Sequence, residues 1–417
     1  MGGDVGSPED EVQRLNEVAG VLRELGSASA VTHHATPRNL PEARAEVLTA
    51  LRAGRIVTPD LIYPEAGDPA AAAAVGARAS TMASEVGGPW GRLVADHVAT
   101  TIGAARAVRS HDPEVIAEDT RNRFADPGGE LLRVADAVLA IPVEIRDEEV
   151  VPAGEAVRRF RGVLDGVGLA AWSVVESDSM HARVAVNSPR RRIRFSASAI
   201  FTTSELERLL AHEVGTHVLR FENSCAQPLL LLATPLGVAE PTEEGLAVLN
   251  EARLGVLDLT SLRTYALRVL AARTAMDGPF AEVVETLLAH TSPPLAVDIA
   301  LRAKRGFADL RAPGAHLKDV SYLSGYLALV RHLRGKPEDY AVLMAAKQPL
   351  ANIAPVREAI ADGRAAVWPL SLVHDLIPSR DRPWIHPNGD PFHLTASGPE
   401  DGPPLSDAAS ATRALGR

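Results

Sequence analysis

The sequence predicts an α+β fold that is mostly helical, and three observations support this prediction. Over most of the 417 residues, apolar side chains recur every three or four positions, which is typical of the buried face of a helix. Between about residues 141 and 200 the pattern changes to short β-branched or alternating segments, which is typical of strands. Only 4% of the residues are aromatic, while Ala, Leu, Val and Arg are plentiful, and this composition favours helices.

Periodicity and composition divide the chain into five segments. The predicted segments are a disordered N-terminus (1–8), an N-terminal helical region (9–140), a core with a small sheet and a histidine-containing helix (141–345), a C-terminal helical segment (346–378) and a loose tail (379–417). The tail is assigned from its content of Pro, Gly, Asp and Ser.

The small sheet is predicted directly upstream of the histidine-containing helix. Its strands are IPVEIR (141–146), AAWSVVES (170–177), HARVAVN (181–187) and RRIRFSAS (191–198). One helix, GEAVRRFRGVLDGVG (154–168), separates the first strand from the second.

The segment TTSELERLLAHEVGTHVLRFEN (202–223) predicts a helix with a well-defined start. Ser204 and Glu207 have the spacing of a capping box, in which each side chain bonds a backbone N–H of the other residue. His212, Glu213 and His217 follow within this helix, and they are the candidates for a metal site. The familiar zinc signature, H-E-x-x-H, has one residue fewer between its histidines.

The extra residue has a geometric consequence. In a regular α-helix His212 and His217 would differ by about 140° around the axis, so both imidazoles could not reach one ion. A π-bulge absorbs one residue and would bring the two rings together. Gly215 lies between them, so we predict a distortion at Val214 to Thr216. The alternative is that these are two unrelated histidines on a core helix.

Catalytic zinc usually takes three protein ligands, and the segment EPTEEGLAVLNE offers carboxylates as candidates for the third. Thr242 is predicted to cap a helix whose first turn contains Glu243 and Glu244. Acidic residues in a first turn also suit the helix dipole, so this segment alone does not indicate a metal.

The two segments together resemble a known family. HEVGTHVLR followed by EEGLAVL resembles the QEGLA-motif, or flavohemoglobin expression-modulating, proteins. The microtubule-associated tyrosine carboxypeptidases share the H-E-x-x-x-H signature. LRAKRGF and HLKDVSYLSGYL resemble the downstream block of the family, and the resemblance extends to about residue 375. It implies a zincin-like zinc metallopeptidase core with one Zn²⁺ per chain.

The resemblance also implies a role for each site residue. His212, His217 and Glu244 would be the zinc ligands, and Glu213 would be the general base that activates water. Glu243 stands where the motif has Gln, so the sequence leaves open whether Glu243 or Glu244 reaches the metal.

The expected activity is hydrolysis of a peptide bond, carboxypeptidase-like, with a peptide or protein C-terminus as substrate. A carboxypeptidase must bind a terminal carboxylate, and Arg191, Arg192 and Lys318 are candidates, with Tyr322 one turn after Lys318. Each could instead be an ordinary surface side chain. Two other functions stay open, namely a zinc amidase acting on a small or cell-wall-derived amide and a non-catalytic zinc-containing regulator.

Charge and composition argue against other classes of function. The formal net charge is −10 and no basic block stands out, so binding to nucleic acid or to an anionic membrane is not expected. The longest apolar run is too short to span a bilayer. Cys225 is the only cysteine and the N-terminus does not resemble a signal peptide, so we expect a cytoplasmic protein. The oligomeric state is left open.

Overall fold

The computed structural model describes residues 8–143, 148–178, 180 and 182–367. It confirms a mostly helical α+β architecture. The segments predicted to be disordered or loose, 1–8 and 379–417, lie outside the described residues, except that the first helix already begins at Pro8. The predicted C-terminal helical segment is described as far as residue 367.

The N-terminal region is helical as predicted. Its helices within the described ranges are α1 (Pro8–Ser29), α2 (Val31–His34), α3 (Leu40–Arg52), α4 (Ala70–Val86), α5 (Gly88–Ser110), α6 (Pro113–Arg123) and α7 (Gly129–Leu139). The sequence at the start of α6 explains why a new helix begins there. The Asp112 side chain accepts hydrogen bonds from the backbone N–H groups of Glu114 and Val115, and Pro113 occupies a first-turn position that needs no donor.

The strands form two small sheets in place of the single predicted sheet. β1 (Val150–Pro152) pairs antiparallel with β5 (Ile200–Thr202). In the second sheet the central strand β4 (Arg192–Ser196) pairs parallel with β2 (Ser173–Ser177) and antiparallel with β3 (Val184–Asn187). Between β1 and β2 lies α8 (Ala153–Gly166), and its Phe160 ring meets the Phe195 ring of β4 edge-on at 4.9 Å.

The first predicted strand is misplaced. Residues 141–143 are not a strand, 144–147 lie outside the described residues, and β1 begins only at Val150. The β1 position is decided by pairing with β5, 50 residues further along the chain, and no local pattern reveals such a partner. This pairing places β5 at the start of the histidine-containing helix.

The remaining α-helices and one π-helix lie between Thr203 and Ala361. They are α9 (Thr203–Leu209), a π-helix (Leu210–Val218), α10 (Leu219–Cys225), α11 (Glu240–Arg253), α12 (Leu259–Asp277), α13 (Phe280–Leu288), α14 (Pro293–Ala303), α15 (Ser321–Gly335), α16 (Asp339–Ala345) and α17 (Ile353–Ala361). No helix in the described ranges is both long enough and apolar enough to cross a bilayer.

α11 and α15 pack with their backbones almost in contact. A Cβ atom on Gly245 would lie 2.3 Å from the carbonyl carbon of Gly325, and one on Gly325 would lie 1.8 Å from the carbonyl oxygen of Pro241. Only glycine fits at this crossing. The Gly of the EEGLA segment therefore lets α15, which carries Tyr322, approach the helix that carries Glu244.

The largest apolar cluster crosses the predicted boundary at residue 140. It includes buried side chains from both sides, among them Val134, Leu246 and Leu329. Helix α11 is therefore supported by both parts of the chain, while the predicted domain limits remain a prediction.

Candidate metal centre

The N-cap of the histidine-containing helix lies two residues before the predicted cap, Ser204. Thr202 is the N-cap, with extended backbone, and its hydroxyl accepts a hydrogen bond from the Glu205 N–H at 3.2 Å. Ser204 instead donates its hydroxyl to the Glu148 carboxylate at 2.5 Å. The predicted Ser204 cap is therefore wrong. Strand β5 ends at Thr202, so its pairing with β1 decides which residue of the TTS sequence caps the helix.

The predicted distortion between the two histidines is confirmed. Residues Leu210–Val218 form a π-helix, which is longer than the predicted break at Val214 to Thr216. The Thr216 hydroxyl donates to the Ala211 carbonyl at 3.1 Å, and the Asn250 amide of α11 donates to the Thr216 hydroxyl at 2.9 Å. These bonds support backbone that lacks the regular α-helical pattern.

The π-helix brings the two imidazoles onto one side, with ring centroids 5.1 Å apart. Nε2 of His212 lies 3.4 Å from Oε2 of Glu244, and Nε2 of His217 lies 3.9 Å from the same oxygen. We call His212, His217 and Glu244 the His–Glu cluster. One potential ligand atom from each of the three lies within 4.8 Å of the other two.

The donor set of the His–Glu cluster fits a zinc ion. Oε2 of Glu244 is buried and accepts no hydrogen bond from any described residue. A buried carboxylate oxygen without a donor is costly unless a cation or water occupies the space beside it. Two imidazole nitrogens and one carboxylate oxygen are the ligands of one common type of catalytic zinc site.

The outer nitrogen of each histidine is held by a second carboxylate. Nδ1 of His212 lies 2.6 Å from Glu251, whose carboxylate also accepts from Tyr265 and Arg208, each at 3.0 Å. Nδ1 of His217 lies 3.2 Å from Glu243. When each Nδ1–H donates to its carboxylate, each Nε2 presents a lone pair to the centre, as in carboxylate–histidine–zinc arrangements.

Glu243 is occupied by other partners. Arg220 donates to one of its oxygens at 2.5 Å, and Lys347 lies 3.1 Å from the other, which also faces His217. Arg220 is fully buried and donates further to the carbonyls of Leu343, Ala346 and Gln348. Glu243 therefore holds the His217 ring in place, while Glu244 faces both Nε2 atoms.

Electrostatics in the His–Glu cluster is dominated by mutual attraction. Burial disfavours the imidazolium form, but the carboxylates of Glu244 and Glu251 outweigh burial and raise the pKa of His212 to about 10. Burial likewise opposes ionisation of Glu244, yet the neighbouring His212 and His217 lower its pKa to about 2. Without a metal the cluster therefore holds a proton that a bound cation would replace.

Glu213 follows the first histidine but is not part of the cluster. Its side chain is half-buried, and its charge adds to the effects that raise the pKa of His212. It thus lies near the centre while remaining partly open to water.

The four predicted substrate-binding residues occupy different places. Arg191 adopts a left-handed backbone conformation after β3 and forms two hydrogen bonds to Glu222, at 2.7 and 3.1 Å. Arg192 is exposed on β4. Lys318 lies 3.7 Å from Glu240, and its charge acts on Glu244.

Tyr322, the fourth of these residues, lies at the centre. Its ring stacks against the His212 ring at 6.2 Å between centroids and against the Tyr265 ring at 5.1 Å. Burial and the Glu244 charge raise the pKa of its hydroxyl. The structure therefore brings Tyr322 and Lys318 to the His–Glu cluster, while Arg191 is paired with Glu222.

Comparison with known protein families shows to which family this chain belongs. The family model described as microtubule-associated tyrosine carboxypeptidase matches residues 112–368, which is more than half of the chain. The chain belongs to this family. The matched range contains the π-helix, α11, α15 and every residue of the His–Glu cluster.

Individual relatives align over a shorter segment. Microtubule-associated tyrosine carboxypeptidase 1 from Mus musculus and that from Homo sapiens are each 35% identical to this chain over 132 residues, and the Rattus norvegicus protein is 34% identical. Each alignment covers 30% of this chain and 28% of the relative. The aligned segment is thus a minor part of each relative.

For this member of the family, sequence reasoning missed the residues that hold the His–Glu cluster in place. Glu251 follows Glu244 by seven residues, so the two share a helix face, and this spacing could have identified it. Arg208 precedes His212 by four residues, which is also a same-face spacing. Arg220 carries no comparable signal, because its partners lie more than 20 residues away.

Proposed function

We propose that this chain is a zinc-dependent peptidase that removes a residue from the C-terminus of a peptide. The observation that carries the proposal is that Nε2 of His212, Nε2 of His217 and Oε2 of Glu244 converge, while both Nδ1 atoms are held by carboxylates. Membership of a family described as tyrosine carboxypeptidases supports the reaction class. A zincin-like core and the kinship with QEGLA-motif proteins belong to the same proposal.

His212, His217 and Glu244 are the proposed ligands of one Zn²⁺. When bound, the ion supplies a Lewis acid that polarises the scissile carbonyl and lowers the pKa of the attacking water. Glu251 and Glu243 orient the two imidazoles. Arg208 and Tyr265 in turn fix Glu251, which keeps the His212 ring in its orientation.

Glu213 is the proposed general base. It takes a proton from the attacking water and passes it to the leaving amine, which requires a carboxylate beside the ligands that is not itself a ligand. Its half-buried position next to His212 suits this task. Lys318 and Tyr322 are proposed substrate contacts because they lie beside Glu244.

A peptide ending in tyrosine is the first substrate to test, since the family description and the relatives name tyrosine carboxypeptidases. We also propose a cytoplasmic location, which the single cysteine supports.

The experiment combines metal analysis with a cleavage assay. Purified protein is analysed for zinc and incubated with peptides ending in tyrosine, and the products are identified by mass spectrometry. The expected result is about one zinc per chain and release of the terminal residue alone. Internal cleavage would indicate an endopeptidase, and zinc without cleavage of any peptide would indicate a non-catalytic zinc protein. His212→Ala is the matched control without metal.

A further inference from the structure

Arg268 of α12 has a partly buried guanidinium with two nitrogen atoms that lack a hydrogen-bond partner among the described residues. Its Nε and Nη1 atoms are buried and donate to no described residue. The side chain as a whole is half-buried, so it remains reachable from outside. Buried guanidinium donors are normally paired, and two such donors on one side chain indicate that something else binds there.

Arg268 lies next to the His–Glu cluster. Its Cζ atom is 4.2 Å from the centre of the Tyr322 ring and 5.6 Å from that of Tyr265, three residues earlier on the same helix. The Tyr322 ring also stacks against His212. The guanidinium and a proposed zinc ligand therefore contact the same tyrosine ring. Contact with the ring faces stabilises the positive charge but leaves the N–H groups without acceptors.

Two other cations near this site have carboxylate partners, since Arg302 is paired with Asp319 and Lys318 lies 3.7 Å from Glu240. Arg302 bonds both oxygens of Asp319, with 2.8 Å between Nη2 and Oδ1. Burial opposes ionisation of Asp319, but Arg302 and, to a smaller extent, Arg268 lower the pKa of this carboxyl group. Arg268 thus supplies a positive charge beside the cluster without an ion-pair partner within 4 Å among the described residues.

We infer that Arg268 binds the terminal carboxylate of the substrate and so restricts cleavage to the last peptide bond. The inference deepens, and rests on, the proposed peptidase function. An arginine can bind a carboxylate with two parallel hydrogen bonds, which fixes both the position and the orientation of the chain end. Of the two arginines suggested by the sequence, Arg191 is already paired with Glu222 in this way and Arg192 is exposed on β4.

The experiment measures binding separately from turnover. Zinc-loaded Glu213→Gln protein is titrated calorimetrically with a peptide that ends in a free tyrosine carboxylate and with the same peptide ending in a tyrosine amide. We expect the free acid to bind at least about tenfold more tightly, since charge-assisted bonds are roughly twice as strong as neutral ones. Adding Arg268→Met should reduce that preference to near one.

Three variants in the same background make the result specific. Arg273→Met removes a partly exposed cation of the same helix, paired with Asp277, and should leave the preference unchanged. Arg268→Lys keeps the charge but loses the fork, so it should retain part of the preference. Lys318→Met tests the other cation beside Glu244. Zinc content and Tm identify any variant that fails to fold, in which case Arg268→Lys carries the test.

The outcomes separate the two proposals. Retention of the preference by folded Arg268→Met, or loss of it only in Lys318→Met, would overturn the assignment to Arg268. Equal affinity for acid and amide, or no binding of either, in the Arg268-containing protein would overturn it too. A wild-type zinc protein that binds the acid preferentially but cleaves neither peptide would contradict the peptidase function while supporting the anion site.

Discussion

Two buried clusters of charge in this protein differ in how completely their polar atoms are paired. Lys304, which is fully buried, donates to four backbone carbonyls, those of Ala275, Gly278, Ala312 and Gly314, at 2.7–3.1 Å. In the His–Glu cluster, Oε2 of Glu244 is equally hidden but accepts no hydrogen bond from the described residues. The Lys304 ammonium therefore has all the hydrogen-bond partners it needs, whereas the Glu244 carboxylate can still bind a further atom.

The difference helps to separate a structural charge from a functional one. The Lys304 ammonium joins the end of α12 to the loop after α14, and its surroundings need no further partner. In the His–Glu cluster, by contrast, carboxylates hold the Nδ1 atoms of both histidines, while the candidate ligand atoms face one another. A buried polar atom without a hydrogen-bond partner, surrounded by groups that have theirs, is therefore the feature that indicates a bound ligand.

The largest expected effect comes from removing a member of the His–Glu cluster. His212→Ala, His217→Ala and Glu244→Gln should each lower zinc content from about one per chain to near zero. Peptidase activity should fall below detection. Elemental analysis after dialysis provides the measurement, and Lys304→Met serves as a control with unchanged zinc. Full zinc content in either histidine variant would place the metal elsewhere.

Glu213→Gln should separate catalysis from metal binding. Gln keeps the size of the side chain but cannot accept the proton, and general-base assistance contributes roughly 10²–10⁴ in rate. We expect full zinc content and a loss of at least about a hundredfold in kcat. Near-native turnover with zinc bound would show that another group is the base.

Lys304→Met should affect stability only. Four carbonyls would lose their donor, and unsatisfied buried acceptors cost about 1–3 kcal/mol each before relaxation. Because water can reach some of them after relaxation, we expect a decrease of about 2–4 kcal/mol in the free energy of unfolding. Urea unfolding measures this decrease, and zinc affinity should equal that of the wild type. A change in zinc affinity would contradict the separation of the two clusters.

Glu251→Gln tests the support of the His–Glu cluster. The amide can still accept from Tyr265, but it holds the His212 Nδ1–H less strongly. Loss of such outer partners typically weakens metal binding by about 10- to 100-fold. Competition with a chelating dye gives the affinity. A variant with wild-type zinc affinity would show that His212 needs no orienting carboxylate.

The smallest effect is expected at Asp339, another completely paired charge. Its carboxylate accepts from Arg357 at 2.6 Å and lies 2.5 Å from His332. Burial opposes ionisation, but these partners lower its pKa below the ordinary 3.8. Its contribution to stability is thus present above pH 3.8 and is lost as the pH falls through the lower folded pKa.

Asp339→Asn should therefore lower the free energy of unfolding by about 1–2 kcal/mol at pH 7. It should also reduce the loss of stability of the protein below pH 4. Urea unfolding at pH 7 and at pH 3 to 4 tests both statements. An unchanged acid dependence would show that Asp339 does not titrate differently in the folded protein.

The predictions from sequence succeeded where the signal was local. Three- and four-residue periodicity identified helical regions, and the spacing of His212 and His217 required the distortion that the π-helix provides. They failed where a distant partner decided the outcome. Thr242, the predicted cap of α11, instead accepts a hydrogen bond from the Leu350 N–H, and α11 begins at Glu240.

The sequence by itself determined the helical class and the distorted helix, because helix periodicity and residue spacing follow from the geometry of one helix. Glu243 and Glu244 became candidate ligands through the resemblance of EEGLAVL to the family motif. Only the tertiary structure decided how Glu243 and Glu244 differ. Arg220 and Lys347 neutralise Glu243, and both lie on other elements of the fold. The approach of Gly245 to Gly325 brings Tyr322 towards the centre. The environment of a charge depends on residues distant in sequence, so no local pattern could assign it.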